Sequence, residues 1–192
     1  MISIWLQLGF EHILDLNGYD HILYLITLCA IYSIRDWKKV LYLATAFTMG
    51  HSITLALNAF DIVSIPSFLI ETLIPVTIIL TALYNLVTDS KTKTKTKTKT
   101  NETVGYFLAI TFGLIHGMGI SNFLKALMSP GDSLIMSLLG FNIGVELAQI
   151  VVVLISLAIS YIALNILKVN KSNWIKTISL ISILISIYIL SK

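Results

Sequence analysis

The chain has 192 residues, 56% of them hydrophobic and 12% charged, with a net charge of +3 at neutral pH and a mean hydropathy of +0.88. A soluble domain is about half apolar and about a quarter charged, so that class is excluded. What remains is one integral-membrane domain over residues 1–192, an all-α polytopic bundle of about six spanning helices plus a short N-terminal amphipathic helix.

Residues 3–17 are too short and too charged to span; they read as a segment lying at the surface or folding back into the bundle. The opening "MISIWLQLGFEH" has no basic n-region and no small-residue cleavage site, so no cleavable signal peptide is expected. Apolar runs of spanning length follow at about 20–34, 39–60, 66–88, 103–127, 133–167 and 174–190. The fifth is long enough to require tilt or an extension beyond the lipid. The single Cys29 lies in an apolar run, so no intramolecular disulfide can form.

The connections are asymmetric. "RDWKK" (35–39), the Lys-Thr repeat within 89–102, "KVNKSN" (168–173) and Lys176 hold eleven of the thirteen basic residues. "DIVSIP" (61–66) and "SPGD" (129–132) hold none. The positive-inside rule then places the basic loops in the cytoplasm and both chain ends outside, as expected for a multi-pass protein of the bacterial inner membrane. The 89–102 stretch has no apolar residue to pack between Lys91 and Thr100. It reads as a flexible cytoplasmic loop, or alternatively as an anchor for anionic headgroups.

All four histidines, His12, His21, His51 and His116, fall in or against spans, as do Glu71 and Glu146. An ionisable group in hydrocarbon costs about 2.5–3.5 kcal/mol on insertion scales, so such groups face the bundle interior and mark sites or pathways. With the N-terminus outside, Asp20, His21, His51, Glu71, His116 and Glu146 all come from the middle or outer part of their spans. Asn142, Glu146 and Gln149 share one face of the fifth span. Gly140, Gly144 and Ala148 form a small-residue stripe beside it. Gly113, Gly117 and Gly119 flank His116, and Thr48 and Ser52 stand by His51. Pro75 frees the Glu71 carbonyl.

Imidazoles and carboxylates with almost no thiol are ligands for Zn, Ni, Co or Mn rather than for Cu(I) or an iron–sulfur cluster. Taken singly, each residue has a plainer reading. His116 can be a hydrogen-bonded core histidine, and Glu71 a protonated acid bonded across helices. Glu11, His12 and Asp15 can be a solvated helix face, and Met49 and Met118 packing. Their convergence points instead to a metal or proton site.

At these residues the sequence resembles the HupE/UreJ family of membrane proteins. "GFEHILDLNGYDHILYL", "TAFTMGHSITLAL", "FGLIHGMGISNFL" and "FNIGVELAQ" are similar to its recurring blocks, in family order. The resemblance implies a six- or seven-helix permease carrying nickel or cobalt, with a His-Asp-His signature mapping onto His12, Asp20 and His21. "IHGMG" keeps one histidine, His116, where the family motif has two and a glutamate.

The leading expectation is a permease for a divalent transition metal (nickel, cobalt or zinc). Asp20 and His21, with His12, Glu11 and Asp15, would form an outer capture site, and His51, Glu71, His116 and Glu146 a transit site. The alternative is an intramembrane zinc-dependent hydrolase. The expected partners are the lipid bilayer and the metal ion, with room for a homo-oligomer and no nucleic acid.

Overall fold

The computed structural model describes residues 2–16, 18–93, 100–127 and 133–191. Its elements, in chain order, are α1 (Ile2–Leu14), α2 (Asp20–Cys29), α3 (Trp37–Ala59), α4 (Ser67–Lys93), α5 (Thr100–Leu127), α6 (Leu134–Tyr161) and α7 (Lys171–Leu190). A 3-10 turn, Ile34–Asp36, leads into α3, and a π turn, Ile162–Ile166, extends α6. No strand occurs among the described residues, as the composition requires.

Five stretches are long and apolar enough to cross a bilayer: Ile34–Ala59, Ser67–Asp89, Thr103–Ser121, Leu134–Ile166 and Lys171–Leu190. Their outward faces carry large apolar side chains such as Phe68, Phe107 and Leu184, each at least 66% exposed. In water such surface would be a liability; in lipid it is solvated. Side chains cap the starts of α6 and α7. The Asn170 side chain accepts from the amides of Ser172 and Asn173 (2.9 and 3.4 Å) at α7.

The first expected span, 20–34, is shorter than the apolar run suggested. α2 ends at Cys29 after ten residues, about 15 Å, half of a bilayer core of about 30 Å. The chain turns after Cys29, and Asp36 Oδ2 then accepts from both Ser33 N (3.0 Å) and Ser33 Oγ (2.7 Å) where a new helical element starts at Ile34. α1 is the complementary short element. It folds back into the bundle, burying Trp5, Gly9 and Ile13.

Glycines set the two closest helix contacts. A Cβ on Gly9 would overlap the Phe141 carbonyl, and one on Gly144 the Leu6 carbonyl, so α1 lies backbone to backbone on α6. Likewise Gly113 meets the Phe47 carbonyl, and Gly117 the backbone of His51, which seats α5 on α3. Small residues at helix contacts permit this approach in membranes. α2 packs among α4, α6 and α7, and α4 also packs on α5 and α7.

At the expected cytoplasmic loop, α4 runs to Lys93 and α5 begins at Thr100. Positions 94–99 and the "SPGD" stretch at 129–132 lie outside the described residues.

Candidate metal centre

Each histidine arrives on a different helix: His12 near the end of α1, His21 in the first turn of α2, His51 on α3 and His116 on α5. The glycine contacts just described bring the last two together. The His12 and His21 rings lie 4.6 Å apart between centroids, and His21 and His116 5.1 Å. His51 is 6.0 Å from both His12 and His21. One ring nitrogen from each of His12, His21 and His51 lies within 4.8 Å of the others. Nitrogens bound tetrahedrally at about 2.0–2.1 Å from zinc are about 3.3 Å apart, so a modest inward shift would close the set on an ion.

Hydrogen bonds orient two of the rings. Asp20 Oδ1 lies 3.0 Å from His21 Nδ1 and also accepts from the His21 amide at 2.9 Å. The Phe112 carbonyl lies 2.9 Å from His116 Nδ1. A carboxylate or a carbonyl can only accept, so Nδ1–H is the donor in both rings and Nε2 carries the lone pair. This is the outer-shell arrangement that fixes tautomer and aim in metal-binding histidines.

The remaining ring nitrogens have no partner within the protein. His12 Nε2, His21 Nε2, both nitrogens of His51 and His116 Nε2 are buried without a hydrogen-bond partner. Leaving one buried polar atom unsatisfied costs about 1–3 kcal/mol. Other such atoms, for example Asn58 Oδ1 on α3 and Ser179 Oγ on α7, occur one to a side chain. Here five sit on four adjoining rings. Aromatic side chains wall the cluster: Phe47 lies 5.0 Å from His116, and Phe141 stacks on His51 at 6.2 Å.

A cavity of about 270 Å³ reaches the cluster and is lined by His12, Asp15, Gly18, Asp20, His21, Ser67, Glu71 and His116, among others. Asp15 and Gly18, on non-helical backbone, thus form part of a cavity wall, the setting in which such backbone is tolerated at membrane depth. A larger cavity of about 750 Å³ lies on the other side of His12 and includes Glu11, Asp15 and Phe141 in its lining.

The remaining sequence-derived candidates are distributed around this centre. Glu71 is exposed on the cavity wall, and Asp15 borders both cavities. Glu11 accepts from Gln7 Nε2 at 2.8 Å. Glu146 accepts from Thr45 Oγ1, tying α6 to α3. Thr48 Oγ1 donates to Gln149 Oε1 (3.2 Å), and Ser52 Oγ to the Thr48 carbonyl (2.7 Å). Asn142 Nδ2 donates to the Leu138 carbonyl (2.8 Å). His12 and His21, expected at an outer capture site, therefore adjoin His51 and His116, expected at a transit site. Sequence reasoning missed Phe112 and the aromatic wall. The i−4 position of Phe112 relative to His116 was the available signal.

The fold and this centre define a polytopic helical membrane protein with a buried four-imidazole cluster. The chain belongs to the HupE/UreJ family, whose model, described as HupE / UreJ protein, matches residues 1–192. No curated protein and no solved structure matches this chain.

Proposed function

We propose that the protein is a membrane permease for a divalent transition-metal ion, nickel, cobalt or zinc, which His12, His21, His51 and His116 take up as cargo. The observation that carries this reading is the set of five buried, unpartnered imidazole nitrogens beside a cavity that borders three of the four rings. Imidazole suits these metals, and neutral imidazole is the binding form. Asp20 holds His21 in the ligating tautomer and adds negative charge nearby. Glu71 and Asp15 stand on the cavity wall, where carboxylates would draw a hydrated cation inward and replace part of its water. Protons compete with the metal for the same nitrogens, so the site is built to exchange one for the other.

The protein sits in the bacterial inner membrane in this reading. Its basic loops face the cytoplasm, its termini face outward, and the cavity lined by Asp20, Glu71 and His21 opens to the outer side. The test is uptake of Ni, Co and Zn by proteoliposomes or cells carrying the native protein, His21→Ala or His51→Ala. Loss of uptake in both variants is expected; uptake at the native rate in both would remove the reading.

A second reading, an intramembrane zinc-dependent hydrolase, draws on Glu71. A carboxylate facing the cavity that reaches three or more imidazoles can accept a proton from water. Metal that copurifies one-to-one, resists dialysis and never crosses the vesicle membrane would select this reading over transport.

A further inference from the structure

α6 and α7 follow each other in the chain, yet among the described residues α7 meets only the π turn at the end of α6 and not α6 itself. α2 packs on both and holds them apart. Being half a span long, it fills only part of the gap. What remains is a groove of about 400 Å³. Ile22, Ile26 and Ala30 line it on the α2 side, α6 lines it between Val152 and Ser160, and α7 contributes Trp174 and Ile178. The lining is apolar apart from two serine hydroxyls and the Trp174 indole nitrogen.

The groove runs with the bundle axis. Ile22, Ile26 and Ala30 succeed each other one turn apart, and Val152 to Ser160 descends beside them, so each wall is about 12 Å long. An acyl chain in a bilayer lies along the same direction. Ile155 and Ile159 on the lip are 55% and 52% exposed, so the groove opens sideways into the membrane.

The end marked by Ala30, Ser160 and Trp174 lies toward the basic side of the bundle. Lys171, Trp174 and Ile178 stand at i, i+3 and i+7 on α7, which is one helix face. Lys171 therefore continues the wall beyond Trp174. Lys168 precedes it in the connection, and the 3-10 turn that carries Arg35 packs on α6. The acids nearby are engaged: Asp36 accepts from Ser33 and lies within electrostatic reach of Lys171 and Lys39, and Asp89 accepts from Ser172 Oγ at 2.6 Å. The balance at this mouth is positive. Trp174 Nε1, in the wall itself, is buried without a hydrogen-bond partner. An indole N–H only donates, so an oxygen brought beside it would supply what no side chain does.

We propose that this groove holds one acyl chain of an anionic phospholipid, with Lys171 and Lys168 meeting the headgroup phosphate and Trp174 Nε1 donating to a lipid oxygen after a small turn of the half-buried ring. The acyl chain completes the packing that the short α2 leaves undone, and the charge selects the lipid. Lysines at a membrane surface attract anionic headgroups, and tryptophan suits the depth at which apolar and polar parts of a lipid meet. Metal binding plays no part in it.

The experiment is native mass spectrometry of the purified full-length protein in equimolar phosphatidylglycerol and phosphatidylcholine with the same acyl chains, with melting curves in each lipid. The native protein should retain phosphatidylglycerol after mild delipidation and melt higher in it than in phosphatidylcholine. Lys171→Gln, at an exposed position, should cut the preference for phosphatidylglycerol about fivefold. Trp174→Phe, which keeps an aromatic ring and loses the N–H, should weaken retention several-fold. Ser160→Leu, which puts bulk into the groove, should abolish it; should that variant fold poorly, the other two decide. Equal retention of the two lipids by the native protein, unchanged in Lys171→Gln, means ordinary surrounding lipid and overturns the proposal. Native retention by a folded Ser160→Leu places the lipid elsewhere and also overturns it. So does a lipid-free dimer that Ser160→Leu splits, which assigns the groove to a second copy of the chain.

Discussion

The histidine cluster and the seam where α2, α4 and α7 meet both place polar side chains inside a bundle surrounded by lipid, and they differ in what those side chains bond. In the seam the partners are internal. Asn85 donates to the Thr27 carbonyl, Thr27 Oγ1 donates to Ser182 Oγ at 2.7 Å, and Ser182 Oγ returns to the Ile178 carbonyl at 2.9 Å. Glu146 and Thr45 make a similar self-contained pair between α6 and α3. In the cluster the outer nitrogens of His21 and His116 are bonded, while the inner ones are not. The first arrangement holds helices together. The second keeps donor atoms open, which costs stability unless a ligand recovers it. Unpartnered atoms such as Ser179 Oγ also occur elsewhere in the bundle, but the cluster gathers five of them on four rings.

That contrast can be broken most severely at the backbone. Gly113→Leu would drive a side chain into the Phe47 carbonyl, separate α5 from α3 and cost about 3 kcal/mol or more. The expected readout is a large loss of thermal stability in detergent together with loss of metal binding, because His51 and His116 would no longer adjoin. His21→Ala comes next. It should weaken metal affinity at least about 100-fold, about 2.7 kcal/mol at 1.4 kcal/mol per tenfold, and lower the apo protein's melting temperature only modestly, since the lost ring leaves a cavity while an unpartnered buried nitrogen goes with it. Titration calorimetry and a melting curve on the same sample check both halves.

Asp20→Asn sharpens the comparison without removing a ligand. The amide can no longer hold His21 by a charge-assisted bond, and metal affinity should fall about 10–100-fold, the usual effect of an outer-shell partner. A variant with native affinity would show that Asp20 only starts α2. The pH dependence has a definite sign. Because only neutral imidazole ligates, binding should weaken as pH falls, and burial pushes the His12 imidazole down to about 3, so the loss should come in acid well below the ordinary imidazole range; affinity that rises on acidification would contradict imidazole ligation. The smallest effect belongs to the seam. Thr27→Val removes one interhelical hydrogen bond, typically worth about 0.6 kcal/mol in a membrane protein, and should lower stability slightly with metal affinity unchanged.

Much of this architecture was legible in the chain itself, and the limits are instructive. Long apolar runs located α3 to α7, because lipid demands about 20 apolar residues wherever a helix crosses. The same rule failed at residues 20–34. Apolar length cannot register that α2 stops at Cys29, half a span, and that the Ser33–Asp36 contact starts a new element within the same run. The four histidines stood out as ionisable residues in hydrocarbon, and Gly113 and Gly117 stood out beside one of them. Glu146 stood out for the same reason as the histidines, yet it faces Thr45 on the neighbouring helix. Periodicity gives a residue its angle on its own helix and says nothing of which partner lies across from it.

The sequence by itself determined that this is a helical membrane protein, which long segments from residue 39 onward can cross, and which residues are too costly in lipid to be accidental. Those conclusions follow from transfer energies and helix geometry, both local properties of the chain. Only the tertiary structure decided that His12, His21, His51 and His116 adjoin, and that α1 folds inward to bring His12 to them. It also decided that Phe47 and Phe141 wall them. These are relations among helices up to about 100 residues apart, set by where glycine lets backbones touch and by which hydrogen bonds close locally, and neither is written in any single segment.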